Sequence, residues 1–282
     1  MAAAAEASPW HGKISVTMRP KKCFSQNFLR DPVVVEKILA AARLVGGERV
    51  FEIGPGKGVL TWRMLPFCRE LHVAEIDVDL AAALESRREP GLIVHAGDAL
   101  QFDWSAFLSH PPYILVANLP YHISSPIFFK ILDNCQLFRK LVLMFQKEFG
   151  ERLCASPGTK DYGILSVFCR QYFDARVVTE VPPQAFNPVP KVASVVLDLS
   201  PLSSPRFDVA APDFFARVVR GAFSQRRKTL VNSLKGSGFA APNLADKIRA
   251  AGIDPQRRGE TLELEEFVAL ADKLRGQDGP SS

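Results

Sequence analysis

Between residues 49 and 145 the chain repeats one pattern: a short apolar run, then a segment long enough for a helix. The runs are Arg49–Ile53, Leu71–Ile76, Leu92–His95, Tyr113–Ala117 and Leu141–Phe145, rich in Val, Ile and Leu. A strand apolar at successive positions has no solvent face and belongs inside a sheet covered on both sides. Strands joined by helical crossovers pair in parallel. The fold class is therefore α/β: a mostly parallel sheet with helices on both faces. A helix is predicted from Asp31 to about Leu44, with Asp31 as N-cap and Pro32 at its first position. Two later runs, Ala175–Val181 and Val192–Leu199, flank the proline-rich stretch Pro182–Pro190 and are expected to close the sheet as an antiparallel pair.

Beyond residue 200 the pattern changes. Ser200–Pro212 holds three Pro and three Ser, as a linker does. Helical periodicity then covers Asp213–Phe223, Arg226–Lys235, Pro242–Ala251 and Leu264–Leu274. The expected organisation is a flexible N-terminal extension (1–17), an α/β domain (18–200), a small all-helical domain (201–275) and a mobile tail (276–282). No stretch in the 282 residues is apolar enough to span a bilayer, and the Met1–Ala5 run lacks the basic flank of a secretory signal. The five cysteines are odd in number, scattered and without a CxxC pair, which argues against disulfides and zinc and suits a reducing cytoplasm.

The net charge of +5 is small, so its distribution matters more than its size. Arg217–Lys235 carries six basic residues and no acid, among them Arg220, Arg226, Arg227 and Lys228. Met18–Arg30 adds Arg19, Lys21, Lys22 and Arg30, again without a carboxylate. Brought to one face, these segments would bind a phosphate backbone; apart, each is an ordinary solvated surface.

The segment Phe51-Glu52-Ile53-Gly54-Pro55-Gly56-Lys57-Gly58 follows the first strand. Its glycines let backbone approach a ligand closely. The spacing departs from the dinucleotide G-x-G-x-x-G, and no Lys-Ser/Thr pair follows, which weakens NAD and nucleoside-triphosphate readings. Glu75 ends the second strand, 17 residues past Gly58, where a carboxylate accepts from ribose hydroxyls. Asp98 follows the third, within reach of an adenine amino group. Ligand-type residues at three successive strand ends give the pattern of a Rossmann-like S-adenosylmethionine-dependent methyltransferase, with Glu52 at the acidic position before the glycines.

After the fourth strand comes Asn118-Leu119-Pro120-Tyr121. The adenine amine is a poor nucleophile because its lone pair is delocalised into the ring. The Asn118 side-chain oxygen and the Leu119 carbonyl, held by Pro120, can accept both amino protons while Tyr121 offers a stacking face. That chemistry relies on alignment and charge stabilisation and needs no metal and no covalent nucleophile. Phe186, in the proline-stiffened loop 185–192, is expected to close over the base opposite Tyr121.

Taken with Gln26-Asn27-Phe28-Leu29, Glu75-Ile76-Asp77, Gly97-Asp98-Ala99-Leu100, Gln146-Lys147-Glu148, Tyr162-Gly163, the Phe186–Ser194 loop and Phe223-Ser224-Gln225-Arg226-Arg227-Lys228, the chain resembles the ribosomal RNA small-subunit adenine N6,N6-dimethyltransferase family, the KsgA type. Ser25 departs from the Gly common before the Gln-Asn pair. The resemblance implies dimethylation of two adjacent adenosines in the 3′-terminal hairpin of small-subunit rRNA, by a monomer acting on an immature 30S-type particle. It further implies S-adenosylmethionine contacts from Asn27, Leu29, Gly54, Glu75, Asp98 and Asn118. Two alternatives stay open. One is the sister family that methylates a large-subunit rRNA adenine and confers macrolide resistance; the other is a ribosome-assembly factor acting mainly by binding.

Overall fold

The structure is a computed structural model that describes residues 27–239 and 242–275. The 1–17 extension, Arg19, Lys21, Lys22 and the 276–282 tail lie outside the described residues. Chain contacts group residues 27–150 with 173–201 in one unit, and residues 151–172 with the described residues from 202 onward in another.

In the larger unit the strands are β1 (Phe28–Leu29), β2 (Glu48–Ile53), β3 (Cys68–Glu75), β4 (Leu92–Ala96), β5 (Tyr113–Asn118), β6 (Phe138–Gln146), β7 (Phe173–Val181), β8 (Phe186–Asn187) and β9 (Ser194–Pro201). Seven of them form one sheet in the order β4-β3-β2-β5-β6-β9-β7. The first five are parallel, and β9 runs antiparallel between β6 and β7. All five apolar runs are strands, and the expected antiparallel pair is present. The chain leaves β2 toward β3 and β4, then returns to β5 on the other side of β2, so a crevice opens at the carboxyl ends of β2 and β5.

Side chains alternate between the two faces. Val50, Val73, Val116 and Val142 join one apolar cluster with Val34, Val35 and Ile38 of the helix Pro32–Ala42. The intervening Phe51, Leu115 and Leu143 are equally buried, and Phe51 meets Trp104 edge-on at 5.4 Å. Each such side chain removed from water contributes about 1.5–3 kcal/mol. Asp31 caps the helix as expected, accepting from the Val33 and Val34 N–H groups. The two-residue pair β1–β8 was not foreseen; it ties Leu29 to Phe186 and Phe28 to Asn187.

The smaller unit is helical: Ile164–Tyr172, Pro212–Ala222, Leu230–Gly236, Leu244–Ala250 and Leu264–Arg275. The sequence reading placed one boundary near residue 200, whereas residues 151–172 group with this unit. Phe168 packs edge-on against Phe215 at 6.2 Å, and the Tyr162 hydroxyl donates to the Leu262 carbonyl at 2.9 Å. A boundary drawn from a single linker cannot show an excursion that leaves the sheet after β6 and returns at β7. A second correction concerns Arg226–Lys228, which lie in an exposed turn; the helix starts only at Leu230.

Among the described residues no helix is long and apolar enough to cross a membrane. No group of three or more His, Cys, Asp or Glu there is arranged to hold a metal ion.

Candidate active site

A cavity of about 610 Å³ lies at the carboxyl ends of β2 to β5. Gly54, Glu75, Asp98, Asn118, Leu119 and Tyr121 line it, as do Asn27 and Leu29 from the N-terminal side. Parallel pairing aligns Ile53 with both Ala74 and Ala117, and Glu75 with Ala96, so residues far apart in sequence reach one rim.

Gly54 has φ +69° and donates its N–H to the Ala74 carbonyl at 2.9 Å. A Cβ there would have the Asn118 carbonyl oxygen, at 4.0 Å, as its nearest neighbour, so the loop keeps a gap beside β5. Gly56, at φ +57°, carries the Phe28 ring 3.0 Å from where its Cβ would stand. Its N–H donates to Glu75 Oε2 at 2.9 Å, while the Asp77 N–H donates to Oε1 at 3.0 Å. Glu75, 2% exposed, is thus pinned by two backbone donors, and a carboxylate retains lone pairs for further hydrogen bonds.

Glu52, also buried, is treated differently. Among the described residues its one hydrogen-bond donor is the Thr61 hydroxyl, at 2.6 Å from Oε2. Burial pushes its carboxyl up to about 8; the Thr61 bond opposes this and the charge of Glu75 adds to it. Burial therefore favours the protonated form of Glu52. Asp98 accepts the Leu100 N–H at 2.8 Å. The loop behind it is stapled by Lys130, which donates to the Leu100 and Phe102 carbonyls at 2.9 and 2.6 Å, and by Trp104 Nε1, which donates to the Ala99 carbonyl at 2.9 Å.

At the end of β5 the Asn118 amide nitrogen donates to the Asn27 carbonyl at 3.2 Å, leaving Oδ1 as an acceptor. The Leu119 N–H donates to the Met144 carbonyl at 3.2 Å, and Pro120 accepts from Ile123 at 3.1 Å. Tyr121 is half-buried, and its hydroxyl pairs with Ser194 Oγ at 2.8 Å. Phe186 departs from expectation. It is 1% exposed and belongs to the hydrophobic core, because its pairing with Leu29 turns it inward while the next residue, Asn187, lines the cavity.

The described basic candidates fall into three environments. Arg220 is half-buried, and desolvation lowers its pKa. Arg226 is exposed but engaged: Nε donates to Glu260 at 2.9 Å and the guanidinium reaches the Lys160 carbonyl. Arg227 and Lys228 are exposed and make no ion pair among the described residues. Sequence reasoning did not single out Thr61, Lys130, Asn187 or Ser194. Ser194 enters the sequence reading only as the last residue of the Phe186–Ser194 loop, with no role attached.

The cavity is lined by the carboxyl groups of Glu52, Glu75 and Asp98, the first of them biased toward its neutral form, and by the basic side chains of Arg30, Lys57 and His122. Arg30 turns to the Gln184 carbonyl at 3.3 Å, and Lys57 stands 5.0 Å over the Phe28 ring. Acceptors at the rim, a glycine gap and, among the described residues, basic side chains turned to other partners suit a cationic nucleoside.

Residues 17–275 match the family described as ribosomal RNA adenine dimethylase. The chain belongs to that family. A ribosomal RNA small subunit methyltransferase A from Syntrophotalea carbinolica is 59% identical over 257 residues, covering 91% of this chain and 97% of the relative. Among solved structures, a dimethyladenosine transferase from Plasmodium falciparum superposes with a TM-score of 0.75 at 29% identity, covering 86% and 95% of the two chains. The 23S rRNA methyltransferase ErmE superposes with a TM-score of 0.65 at 26% identity, covering 88% and 100%. As a ribosomal RNA adenine dimethylase, the protein is an rRNA adenine dimethyltransferase whose methyl donor is S-adenosylmethionine. The acceptor-rich rim and the Gly54 gap fit that donor's hydroxyls, amine and positive charge.

Proposed function

We propose that the protein N6-dimethylates two adjacent adenosines in the 3′-terminal hairpin of small-subunit rRNA, on an immature 30S-type particle, as a cytoplasmic monomer. The observation that carries this reading is the placement of Asn118-Leu119-Pro120-Tyr121 on the rim of the carboxylate-lined cavity. The 59% identity to a small-subunit enzyme supports the small-subunit target over the large-subunit one.

Bound S-adenosylmethionine supplies an electrophilic methyl group on a sulfonium. Glu75, oriented by the Gly56 and Asp77 N–H groups, accepts from the ribose hydroxyls, and Asp98 accepts from the cofactor's adenine amine. Asn27, Leu29 and Gly54 shape the pocket around it. Asn118 also borders the target. Because its amide N–H is engaged by Asn27, Oδ1 faces the target amine as an acceptor, and the Leu119 carbonyl accepts a hydrogen bond from the second amino N–H. Accepting hydrogen bonds from both N–H groups would draw the nitrogen lone pair out of conjugation and orient the amine for methyl transfer. Tyr121 stacks on the flipped base. Phe186, in the core, is not given that role. Arg227 and Lys228 carry the phosphate contacts of the helical domain, with Arg220, Arg226 and the segment of Arg19, Lys21 and Lys22 adding positive charge.

The test incubates the purified protein with labelled S-adenosylmethionine and small-subunit particles lacking the modification, followed by mass spectrometry of the rRNA. Dimethyladenosine at two neighbouring positions is expected. Unlabelled rRNA with tight particle binding would favour the assembly-factor reading and overturn this one.

A further inference from the structure

Tyr121 is anchored at both ends. Its backbone follows Pro120 and enters the single helical turn Tyr121–Ile123, which the Pro120 carbonyl closes. At the far end, its hydroxyl meets Ser194 Oγ at 2.8 Å. Ser194 is fully buried and opens β9 between Gln146 of β6 and Val181 of β7. The neighbouring Ala193 carbonyl accepts the Lys147 N–H at 3.0 Å, so strand pairing fixes Ser194 on both sides. A buried hydroxyl without a partner is costly, and Tyr121 is the partner that this one has in the structure. The bond runs from a buried strand residue, paired on both sides, to a half-buried ring on the cavity wall.

We infer that Ser194 is a positioning residue for methyl transfer: it holds the Tyr121 ring at the tilt at which a flipped adenine stacks with its amine in line with the donor. The inference rests on the reading of Tyr121 as the stacking face. A ring free to swing about its Cα–Cβ and Cβ–Cγ bonds samples stacked poses in which the amine misses the Asn118 and Leu119 acceptors. Losing the bond therefore slows the chemical step and leaves cofactor binding as it was.

The test is a double-mutant cycle of Ser194→Ala and Tyr121→Phe, with Tyr121→Ala alongside. Methylation rates are measured on unmodified small-subunit particles at saturating cofactor. Cofactor affinity is titrated separately, and folding is checked by thermal melts. Ser194→Ala and Tyr121→Phe are each expected to lower kcat about fivefold, the worth of one ordinary hydrogen bond, with cofactor affinity unchanged. The double variant should also fall about fivefold, because both changes remove the same bond. Losses that multiply, or a Ser194→Ala enzyme with wild-type kcat, would overturn the inference. Should Ser194→Ala not fold, Tyr121→Phe decides alone: wild-type kcat overturns, a fivefold loss supports. If Tyr121→Ala keeps full kcat, the stacking role itself fails; if it loses activity while Tyr121→Phe and Ser194→Ala do not, only the role of Ser194 fails.

Discussion

In the larger unit, Glu75 is almost fully buried and its carboxylate is held by two backbone N–H groups. In the helical unit, Arg227 and Lys228 stand exposed in a turn with no ion-pair partner among the described residues. Charge at the cavity is fixed in place before a ligand arrives, whereas charge on the turn is left to solvent. The difference follows from what each would recognise. A small cofactor rewards exact placement of a few acceptors, because misplaced ones gain nothing over water. A phosphate backbone rewards mobile positive charge through counterion release, and long side chains suit it without preorganisation.

The comparison breaks most visibly at Asn118. Replacing it with Ala should cut kcat on small-subunit particles by about 100-fold or more, as removal of a preorganised partner does, and single-turnover methylation reads this directly. A change below tenfold would mean that the fixed rim is not where the chemistry happens. Next comes Glu75→Ala, expected to weaken cofactor binding about 10- to 100-fold while leaving RNA affinity unchanged. Two separate titrations check it, and equal losses in both would erase the division of labour.

The turn is probed by comparing Arg227→Ala/Lys228→Ala with Arg226→Ala. The double variant should flatten the slope of log affinity against log salt by about 1–2. Arg226→Ala should flatten it less and instead cost the protein about 0.2–1 kcal/mol, because that guanidinium is already paired with Glu260. Equal salt slopes for the two would show that pairing does not decide which cations meet RNA.

A pH titration sharpens the contrast inside the cavity. Glu52 is raised from 4.5 to about 8 by burial, so the folded protein holds a proton there that the unfolded chain has released. Its contribution is full below about 4.5 and is lost as pH rises through about 8. The ligand-free protein should therefore lose thermal stability over that range, and Glu52→Gln should remove this part of the decline. Melts of both proteins at pH 6 and pH 9 measure it; parallel declines would place Glu52 in a wetter setting.

Much of this was legible from sequence because the deciding features are local. Apolar runs declare buried strands, glycines follow the first of them, and Glu75, Asp98 and Asn118 occupy strand ends that a parallel sheet must bring to one edge. Phe186 was misplaced because a two-residue pairing with Leu29, distant in sequence, decides which way it points. Lys130 and Ser194 were missed for a related reason. Each acts through one long-range hydrogen bond network with no periodicity to announce it. Arg226 looked like its two neighbours until Glu260 was found beside it.

The chain that enters at Asn27 touches three things within four residues. Asn27 receives the Asn118 amide, Leu29 pairs with Phe186, and the Arg30 N–H bonds the Ala185 carbonyl at 2.8 Å. This belt is fastened by the Asn118 amide, whose nitrogen donates to the Asn27 carbonyl. On the proposed reading of Asn118, an outward swing of this belt would free that side chain as well, so exchange of spent for fresh donor and the hold on the purine would share a single latch.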